Sequence, residues 1–463
     1  MGELKGSTLI KDAEFVVTMD PINKLVPGGS IGIVDNTIVE IGSDIDPSHY
    51  EQIVNAAGNI VIPGLVNTHH HMFQAFLKGH PGLQNQPIER WINLVTQAAG
   101  AMDEEMLYDA ALLNMAELAL YGCTTTSDMS YVRPLNKDLT TPTIKAAQAL
   151  GMRFHPYAGG ISLSQKDGSV FPDNVAQNGE VIAAHIEELI TRYHDPDPLS
   201  MVRLGIGFCG IFTNTPQDFL YARGLSEKYG VNLQTHVSES GWENDVYAKE
   251  KFGKRPIEHL RNLGWAGLAV SHVHCINVSE AEVATLASDR THVSHCPISN
   301  ARNSEGEKGI APIASMLKAG VNVALGVDGS AGNDSSALRE ELRWARTISG
   351  IPAETTYLDP ATVLQMGTIH GAKLLGREAE TGSLEPGKAA DIALFNLDTV
   401  EMAGSWDPVT ALLSTQGTRA NAVMINGKWV VRESRLVETP STNEEALVQR
   451  VAQHMQKLRS LID

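Results

Sequence analysis

The chain has 463 residues, 43% of them hydrophobic, and carries 36 Lys plus Arg against 54 Asp plus Glu, for a net charge of −18. This composition allows a large core, and the acidic balance disfavours nucleic acid as a partner because such a surface repels phosphate backbones. We also expect no membrane span and no signal peptide, since no segment is long and apolar enough for either and the N-terminus lacks a basic region.

The first sixty residues are predicted to be β structure. Residues 7–18 and 29–42 have the composition of strands, and Asp35-Asn36 forms a turn within the second piece. These short strands do not alternate with helices. A small all-β unit therefore opens the chain.

An apolar run at residues 61–66 predicts a short buried strand, and it is soon followed by His69, His70 and His71. In an extended segment residues i and i+2 point to the same side, so His69 and His71 share a direction that His70 does not. Two imidazoles projecting together are suited to half of a metal site. A hydrogen-bonded polar cluster at a strand end explains these residues equally well.

From residue 61 onwards, strands alternate with helical patterns such as 104–121 and 181–193. The predicted strands are 61–66, 124–129, 152–157, 202–208, 231–235, 268–273, 291–294 and 321–327. Eight strands in this rhythm favour a (β/α)8 barrel, the TIM barrel, within the α/β class. A doubly wound sheet would place a Gly-rich phosphate loop after the first strand, and the sequence there is not one.

After residue 382 the pattern returns to strands, at 387–396 and 422–431, and residues 443–462 form an amphipathic helix. We predict a small composite β-sandwich domain from residues 1–60 and 376–440. The catalytic barrel would span residues 61–375, and a C-terminal helix residues 441–463.

Enzymes built on this barrel carry their chemistry at the carboxyl ends of the strands. The first predicted strand leads to His69 and His71, the fifth ends in His236 and the eighth in Asp328. Three imidazoles and a carboxylate suit a divalent metal such as zinc, which lowers the pKa of a bound water towards neutrality. The fourth strand offers no lysine to bridge two metals, so we expect one ion.

Two further residues suit the same chemistry. Glu239, three positions after His236, is placed to move protons, and His274, at the end of the sixth strand, to orient a substrate. Taken singly, each has a plainer explanation: Asp328 as part of a turn, Glu239 as a solvated carboxylate and His274 as a core histidine. Their joint occurrence at separate strand ends favours the metal site.

Several segments resemble the amidohydrolase superfamily, over nearly the whole chain. PGLVNTHHH at 63–71 resembles its opening motif, and THVSE at 235–239 resembles the HxxE of its nucleobase-deaminating members. Residues 294–300 and 326–334 match its last two strand ends, and LEPGKAADI at 384–392 its C-terminal β-domain signature.

The resemblance implies one divalent ion, zinc with iron as the alternative. The implied ligands are His69, His71, His236 and Asp328. It further implies Glu239 as proton shuttle, His274 as a ring-facing partner and Asp328 as acceptor of a proton from the activated water. That water would attack a C–NH2 carbon of an aromatic heterocycle, and ammonia would leave.

Within the superfamily, residues 69–74, 122–126, 151–155 and 193–196 most resemble 8-oxoguanine deaminases, followed by isoxanthopterin deaminases and triazine-ring hydrolases. Gln74, Trp91 and Cys209 are candidate substrate-binding residues by position, with core packing as the alternative for each. One departure is the segment 301–309, which is longer and more polar than is usual for the subgroup. We expect it to border the pocket.

The predicted activity is therefore hydrolytic deamination of 8-oxoguanine to urate and ammonia, a step of purine metabolism. Isoxanthopterin, another pterin, guanine or an s-triazine is the alternative substrate, and a non-catalytic amidohydrolase-like protein is a more distant possibility. The four cysteines form no C-x-x-C pair, which argues against a disulfide framework and favours a cytoplasmic location. We expect a small-molecule substrate, no nucleic-acid or membrane partner, and a homo-oligomer.

Overall fold

The structure is a computed structural model that describes residues 4–84, 86, 88–303, 310–351 and 357–462. Strands β1 to β19 are Leu4–Val17, Leu25–Val34, Thr37–Gly42, Tyr50–Asn55, Asn59–Pro63, Leu65–Asn67, His70–His71, Cys123–Ser130, Arg153–Ala158, Gly205–Phe208, Leu233–Val237, Val270–His274, His292–His295, Val323–Leu325, Asp328–Gly329, Ile392–Asn396, Ala422–Ile425, Lys428–Arg432 and Arg435–Leu436.

Helices α1 to α16 are Ile88–Ala101, Glu104–Leu120, Thr140–Leu150, Gly179–Tyr193, Pro216–Tyr229, Ala248–Phe252, Pro256–Asn262, Glu280–Asp289, Pro297–Asn303, Ile313–Lys318, Ser330–Asn333, Leu338–Ser349, Pro360–Met366, Ile369–Leu374, Pro408–Ser414 and Glu444–Ile462. Short 3-10 turns lie at Pro47–His49, Met72–Leu77, Pro81–Leu83, Pro134–Asn136, Gln165–Asp167 and Asp173–Val175, and a π-helical turn at Glu243–Tyr247.

Eight parallel strands form the barrel. They lie side by side in the order β6, β8, β9, β10, β11, β12, β13 and β14. A hydrogen bond from Thr68 N to Leu325 O (3.0 Å) and the short β7–β15 pair bring the first and last of these strands together. Each predicted barrel strand overlaps one of them, and the predicted (β/α)8 fold is confirmed.

The strands of the two chain ends share one nine-stranded sheet, in which β16 lies between β5 and β17. The predicted β unit from both termini is therefore present, while the exact domain limits stay a prediction. The single strand predicted at 61–66 is in fact two, because the chain leaves this sheet after Pro63 and enters the barrel at Leu65. Gly64 separates them, and a Cβ at that position would collide with Thr124.

A buried ion pair joins the barrel to the terminal sheet. Arg153 of β9 donates from Nε to Asp391 Oδ2 (2.8 Å) and from Nη2 to Asp391 Oδ1 (3.1 Å), a bidentate arrangement. Both side chains are almost fully buried. Loss of either partner would leave a charge without compensation, at a cost of about 3–5 kcal/mol.

The C-terminal helix α16 packs against α1 and α2. Arg450 binds the buried carboxylate of Asp109 through two nitrogens, at 2.9 Å for both Nε–Oδ2 and Nη2–Oδ1, and His454 Nε2 lies 3.0 Å from the same carboxylate. The ring of His454 also stacks on Phe76, which follows the histidine triplet. The C-terminal helix is thus anchored close to the barrel end that carries the histidines.

Within the described ranges, no helix has both the length and the hydrophobicity that a bilayer span requires. All four cysteines are buried and free of disulfides.

Candidate metal centre and active site

Three histidines and one aspartate converge at the carboxyl ends of the barrel strands. His236 Nε2 lies 3.1 Å from His69 Nε2. Asp328 Oδ1 lies 3.5 Å from His69 Nε2 and 3.3 Å from His71 Nε2. All four residues are buried. The structure thus brings together the four side chains that were selected from separate strand ends.

Each of the three histidine rings is oriented by an oxygen atom that accepts a hydrogen bond from its Nδ1. The pairs are His69 with Gln234 Oε1 (2.9 Å), His71 with the backbone oxygen of Met129 (3.0 Å) and His236 with that of Cys209 (2.6 Å). Because these oxygens only accept, the proton belongs on Nδ1, and Nε2 of each ring keeps a lone pair for a ligand. His70 differs: its Nε2 lies 3.0 Å from Ser336 Oγ, as the strand alternation predicted for a scaffold residue.

Three of the four groups, His69, His236 and Asp328, have pKa shifts that suit the binding of a cation. Burial lowers the pKa of His69 to about 4, and burial with the neighbouring histidines lowers the pKa of His236 well below its usual range. Burial alone would raise the pKa of Asp328, but the adjacent imidazoles of His69 and His71 hold it well below its ordinary value. Burial opposes protonation of His71, yet the contact with Asp328 raises its pKa.

This donor set fits a divalent metal. Three imidazole nitrogens and one carboxylate oxygen are typical ligands of a catalytic zinc site, and their second-sphere hydrogen bonds are in place. The ligand atoms of His69, His71 and Asp328 lie within 4.8 Å of one another, as do those of His69, His236 and His274. The cluster can therefore hold a metal ion.

Strained backbone accompanies the site. Ser238, His274, Cys275 and Asp328 all have positive φ, between 50° and 72°. Residues other than glycine adopt this region at an energetic cost, and such residues cluster at functional sites. Ser238 lies just after β11, His274 ends β12 with Cys275 directly after it, and Asp328 begins β15, so two of the four, His274 and Asp328, belong to the site itself.

Glu239 and His274 face each other beside the cluster. Glu239 Oε1 lies 3.8 Å from His274 Nε2, and the Glu239 side chain is 41% exposed whereas that of His274 is buried. Asn300 Oδ1 binds Nδ1 of His274 (2.8 Å), so that Nε2 of His274 is directed to the Glu239 side. The ring of His274 also stacks on that of His236, with centroids 5.2 Å apart. This pair is suited to orient a substrate and to move a proton.

A cavity of about 310 Å³ opens over these residues. The side chains that line it are largely aromatic or apolar, with a few polar groups: Leu83, Gln86, Trp91, Ile92, Tyr131, Val170, Phe171, Cys209, Phe212, Ser240, Trp242, Glu243 and Arg302, together with His71, His236, Glu239, His274 and Asp328. Such a combination is typical of small-molecule sites. Two of the predicted substrate contacts, Trp91 and Cys209, lie in this lining.

Gln74 lies in the protein interior, and its contact with the substrate stays a prediction. It is buried, it is not among the described residues that line the cavity, and its Nε2 contacts the Tyr131 hydroxyl at 3.5 Å. Its Oε1 accepts a hydrogen bond from Ala331 N (3.3 Å). It belongs to the 3-10 turn Met72–Leu77, which directly follows His71.

Sequence reasoning missed several residues of the lining, among them Tyr131, Trp242 and Glu243. Tyr131 directly follows the carboxyl end of β8, the kind of position at which barrel enzymes carry their site, and Glu243 lies four residues after Glu239. Arg302 belongs to the polar segment 301–309, which was expected to border the pocket, and it does line the cavity. Residues 304–309 of that segment lie outside the described residues.

Comparison with known proteins places these features in context. The model of the amidohydrolase family matches residues 60–430. The chain is 34% identical to the 8-oxoguanine deaminase of Pseudomonas aeruginosa, over 88% of this chain and 91% of that protein. It is 32% identical to an isoxanthopterin deaminase of an unknown prokaryotic organism, over 92% of each.

Among solved structures, the atrazine chlorohydrolase of Arthrobacter aurescens TC1 complexed with zinc superposes with a TM-score of 0.90. It shares 28% sequence identity, and the alignment covers 98% of this chain and all of that one. The barrel and the terminal sheet are thus common to both proteins.

Proposed function

The chain belongs to the amidohydrolase family, and we propose that it deaminates an aromatic N-heterocycle, with 8-oxoguanine as the first candidate. The family members that it resembles are named as hydrolases and as deaminases, and the deaminases act on C–N bonds. The reaction would convert 8-oxoguanine and water to urate and ammonia. One observation carries the proposal: His69, His71, His236 and Asp328 converge beneath an aromatic cavity into which Glu239 also faces.

These four residues would hold one divalent ion, which we propose to be zinc, with iron as the alternative. The imidazole and carboxylate donors support zinc, as does the zinc bound to the similar atrazine chlorohydrolase. Such an ion supplies Lewis acidity that brings the pKa of a water at the site towards neutrality.

The chain's own residues would handle the protons. Asp328, a carboxylate under ordinary conditions, would accept one proton from the attacking water and pass it to the leaving nitrogen. Glu239 would protonate the ring nitrogen next to the attacked carbon and recover a proton from the new C–OH group, which leaves a lactam and ammonia. His274 Nε2, 3.8 Å from Glu239 Oε1, would orient the ring during both transfers.

The aromatic part of the cavity lining supports a flat ring system as the substrate. Trp91, Tyr131, Phe171 and Trp242 offer aromatic faces on which a heterocycle can stack. The volume of about 310 Å³ is at the small end of ligand pockets, which favours a free base over a nucleoside. Cys209 would contact the ring from the carboxyl end of β10.

Other substrates fit the same chemistry. Isoxanthopterin, another pterin or guanine would present an equivalent C–NH2 carbon, and an s-triazine would lose an amine or a halide by the same displacement. A non-catalytic role is disfavoured because the complete ligand set and a cavity lie together. Purified protein without stoichiometric metal would support that role instead.

An ammonia-release screen tests the proposal. The purified, metal-loaded protein is assayed with 8-oxoguanine, guanine, isoxanthopterin, cytosine and amino-triazines at equal concentrations. We expect the highest kcat/KM with 8-oxoguanine. A higher value for another ring would reassign the substrate, and no release from any of them would overturn the deaminase proposal.

A further inference from the structure

The main chain of Glu239 is held by two side chains rather than by a strand or a helix. Strand β11 ends at Val237, and Ser238 then adopts a φ of +53°, so that Glu239 begins a loop. The Glu239 N–H donates to Glu243 Oε2 (3.1 Å), and the Glu239 carbonyl oxygen accepts from Asn277 Nδ2 (2.9 Å). The direction of the Glu239 side chain therefore depends on these two contacts.

Glu243 carries a carboxyl group that packing alone does not require. It is 2% exposed, and its Oε1 has no hydrogen-bond partner among the residues that the structure describes. Leaving a buried polar atom unpaired costs roughly 1–3 kcal/mol, so an apolar side chain would serve the fold better. Glu243 also begins the π-helical turn Glu243–Tyr247, a type of turn that is frequent at functional sites.

Asn277, the second residue that binds the Glu239 main chain, is itself hydrogen-bonded to the neighbours of Glu243 and Glu239. Its carbonyl oxygen accepts a hydrogen bond from Asn244 Nδ2 (2.8 Å), and its N–H donates to the carbonyl oxygen of Ser238 (2.8 Å). Asn244 directly follows Glu243 in the chain. The two side chains that hold Glu239 are therefore connected to each other as well as to the residue that precedes it.

We infer that Glu243 and Asn277 are positioning residues, which fix the backbone of Glu239 so that its carboxylate meets His274 and the bound ring at one geometry. This inference rests on the proton-transfer role proposed for Glu239. A displacement of about 1 Å at a reacting group can lower a rate on the order of a hundredfold, so a loose backbone at Glu239 would be costly.

Substitutions of Glu243 separate the acceptor from the bulk of the side chain. Glu243→Ala removes the oxygen that binds Glu239 N–H, and we expect kcat to fall on the order of ten- to a hundredfold while KM and metal content stay constant. Glu243→Gln keeps an acceptor oxygen and should recover most of that loss. Asp218→Asn is a matched control, because Asp218 is a buried carboxyl in the N-terminal capping box of α5.

Asn277→Ala repeats the test from the carbonyl side of Glu239, and it serves if Glu243→Ala does not fold. A loss of kcat at constant KM is again expected. The positioning role would be overturned if both variants lost metal or had a raised KM while kcat stayed unchanged.

A double-mutant cycle tests whether Glu243 acts through Glu239. In the Glu239→Gln background the proton shuttle is already lost, so adding Glu243→Ala should lower kcat no further. If the second substitution lowers kcat by the same factor as in the wild type, Glu243 acts independently of Glu239 and the inference fails.

Amide hydrogen exchange gives a readout that needs no substrate. Glu243→Ala should speed exchange in the peptide that contains the Glu239 amide, and Glu243→Gln should restore protection. Unchanged exchange in Glu243→Ala would refute the positioning role. If the wild type released no ammonia from any ring but Glu243→Ala still sped this exchange, the proposed function would fail and the positioning of Glu239 would stand.

Discussion

Replacement of Glu239 by glutamine tests the proposed proton transfer directly. Glutamine keeps the shape of the side chain and the backbone contacts of residue 239 with Glu243 and Asn277. It cannot carry a proton from one atom to another. We therefore expect metal and substrate to bind and turnover to fall.

The expected loss follows from the role. General acid–base catalysis by one positioned side chain contributes about 10²–10⁴-fold, and we expect kcat of Glu239→Gln to fall by that factor. This corresponds to roughly 3–5 kcal/mol of transition-state stabilisation. His274 is buried and held by Asn300, so it should still orient the ring, and KM should change little.

Ammonia release at saturating substrate measures kcat, and elemental analysis of the same sample measures metal content. Glu258→Gln is the matched control, because Glu258 lies on α7 with 61% of its side chain exposed and pairs with Lys254 at the surface. Unchanged kcat in Glu239→Gln at full metal occupancy would refute the assigned role. A parallel loss of metal would instead identify Glu239 as a ligand.

Four further outcomes are expected. His69→Ala should lower the metal content measured by elemental analysis, and full occupancy would contradict the site. A chelator should lower Tm of the wild type, because a metal that binds only the folded state stabilises it. An unchanged Tm would likewise contradict the site. Arg450→Ala should lower Tm by an amount equivalent to about 3 kcal/mol, since Asp109 is 1% exposed and loses its bidentate partner, and an unchanged Tm would refute this. Burial raises the pKa of Glu243 from 4.5 to about 8, so its contribution to stability is present at acid pH and is lost as the pH rises through that window. Glu243→Gln should therefore flatten the fall of Tm between about pH 4.5 and about pH 8, and an identical fall in both proteins would contradict the raised pKa.

The barrel could be predicted because its strands are short buried runs separated by helical patterns. The barrel fold followed from the alternation of strands and helical patterns, and the metal-binding residues followed from the strand ends. His69, His71, His236 and Asp328 stand out in a sequence because few residue types bind a metal, and a barrel brings its strand ends to one face. Metal-binding residues that lie at one predictable end of a predictable fold can thus be identified from the sequence alone.

Contacts made through the main chain could not be predicted. Glu243 and Asn277 act on the N–H and carbonyl of Glu239, groups that every residue has, so no side-chain pattern marks them. The 3-10 turn Met72–Leu77, which follows the extended backbone at His71, was not predicted either. Arg153 and Asp391 are 238 positions apart, and a pair so distant leaves no local signal.

The sheet shared by both chain ends has a consequence for biosynthesis. Strand β5 ends at Pro63, and its antiparallel partner β16 begins only at Ile392. At about 5–20 residues per second, a ribosome needs roughly 16–66 s to synthesise what lies between them. Until then one edge of β5 is open, and an open edge is a template for pairing with other chains. Stalled or truncated synthesis before residue 392 would therefore expose to aggregation an edge that the finished enzyme covers.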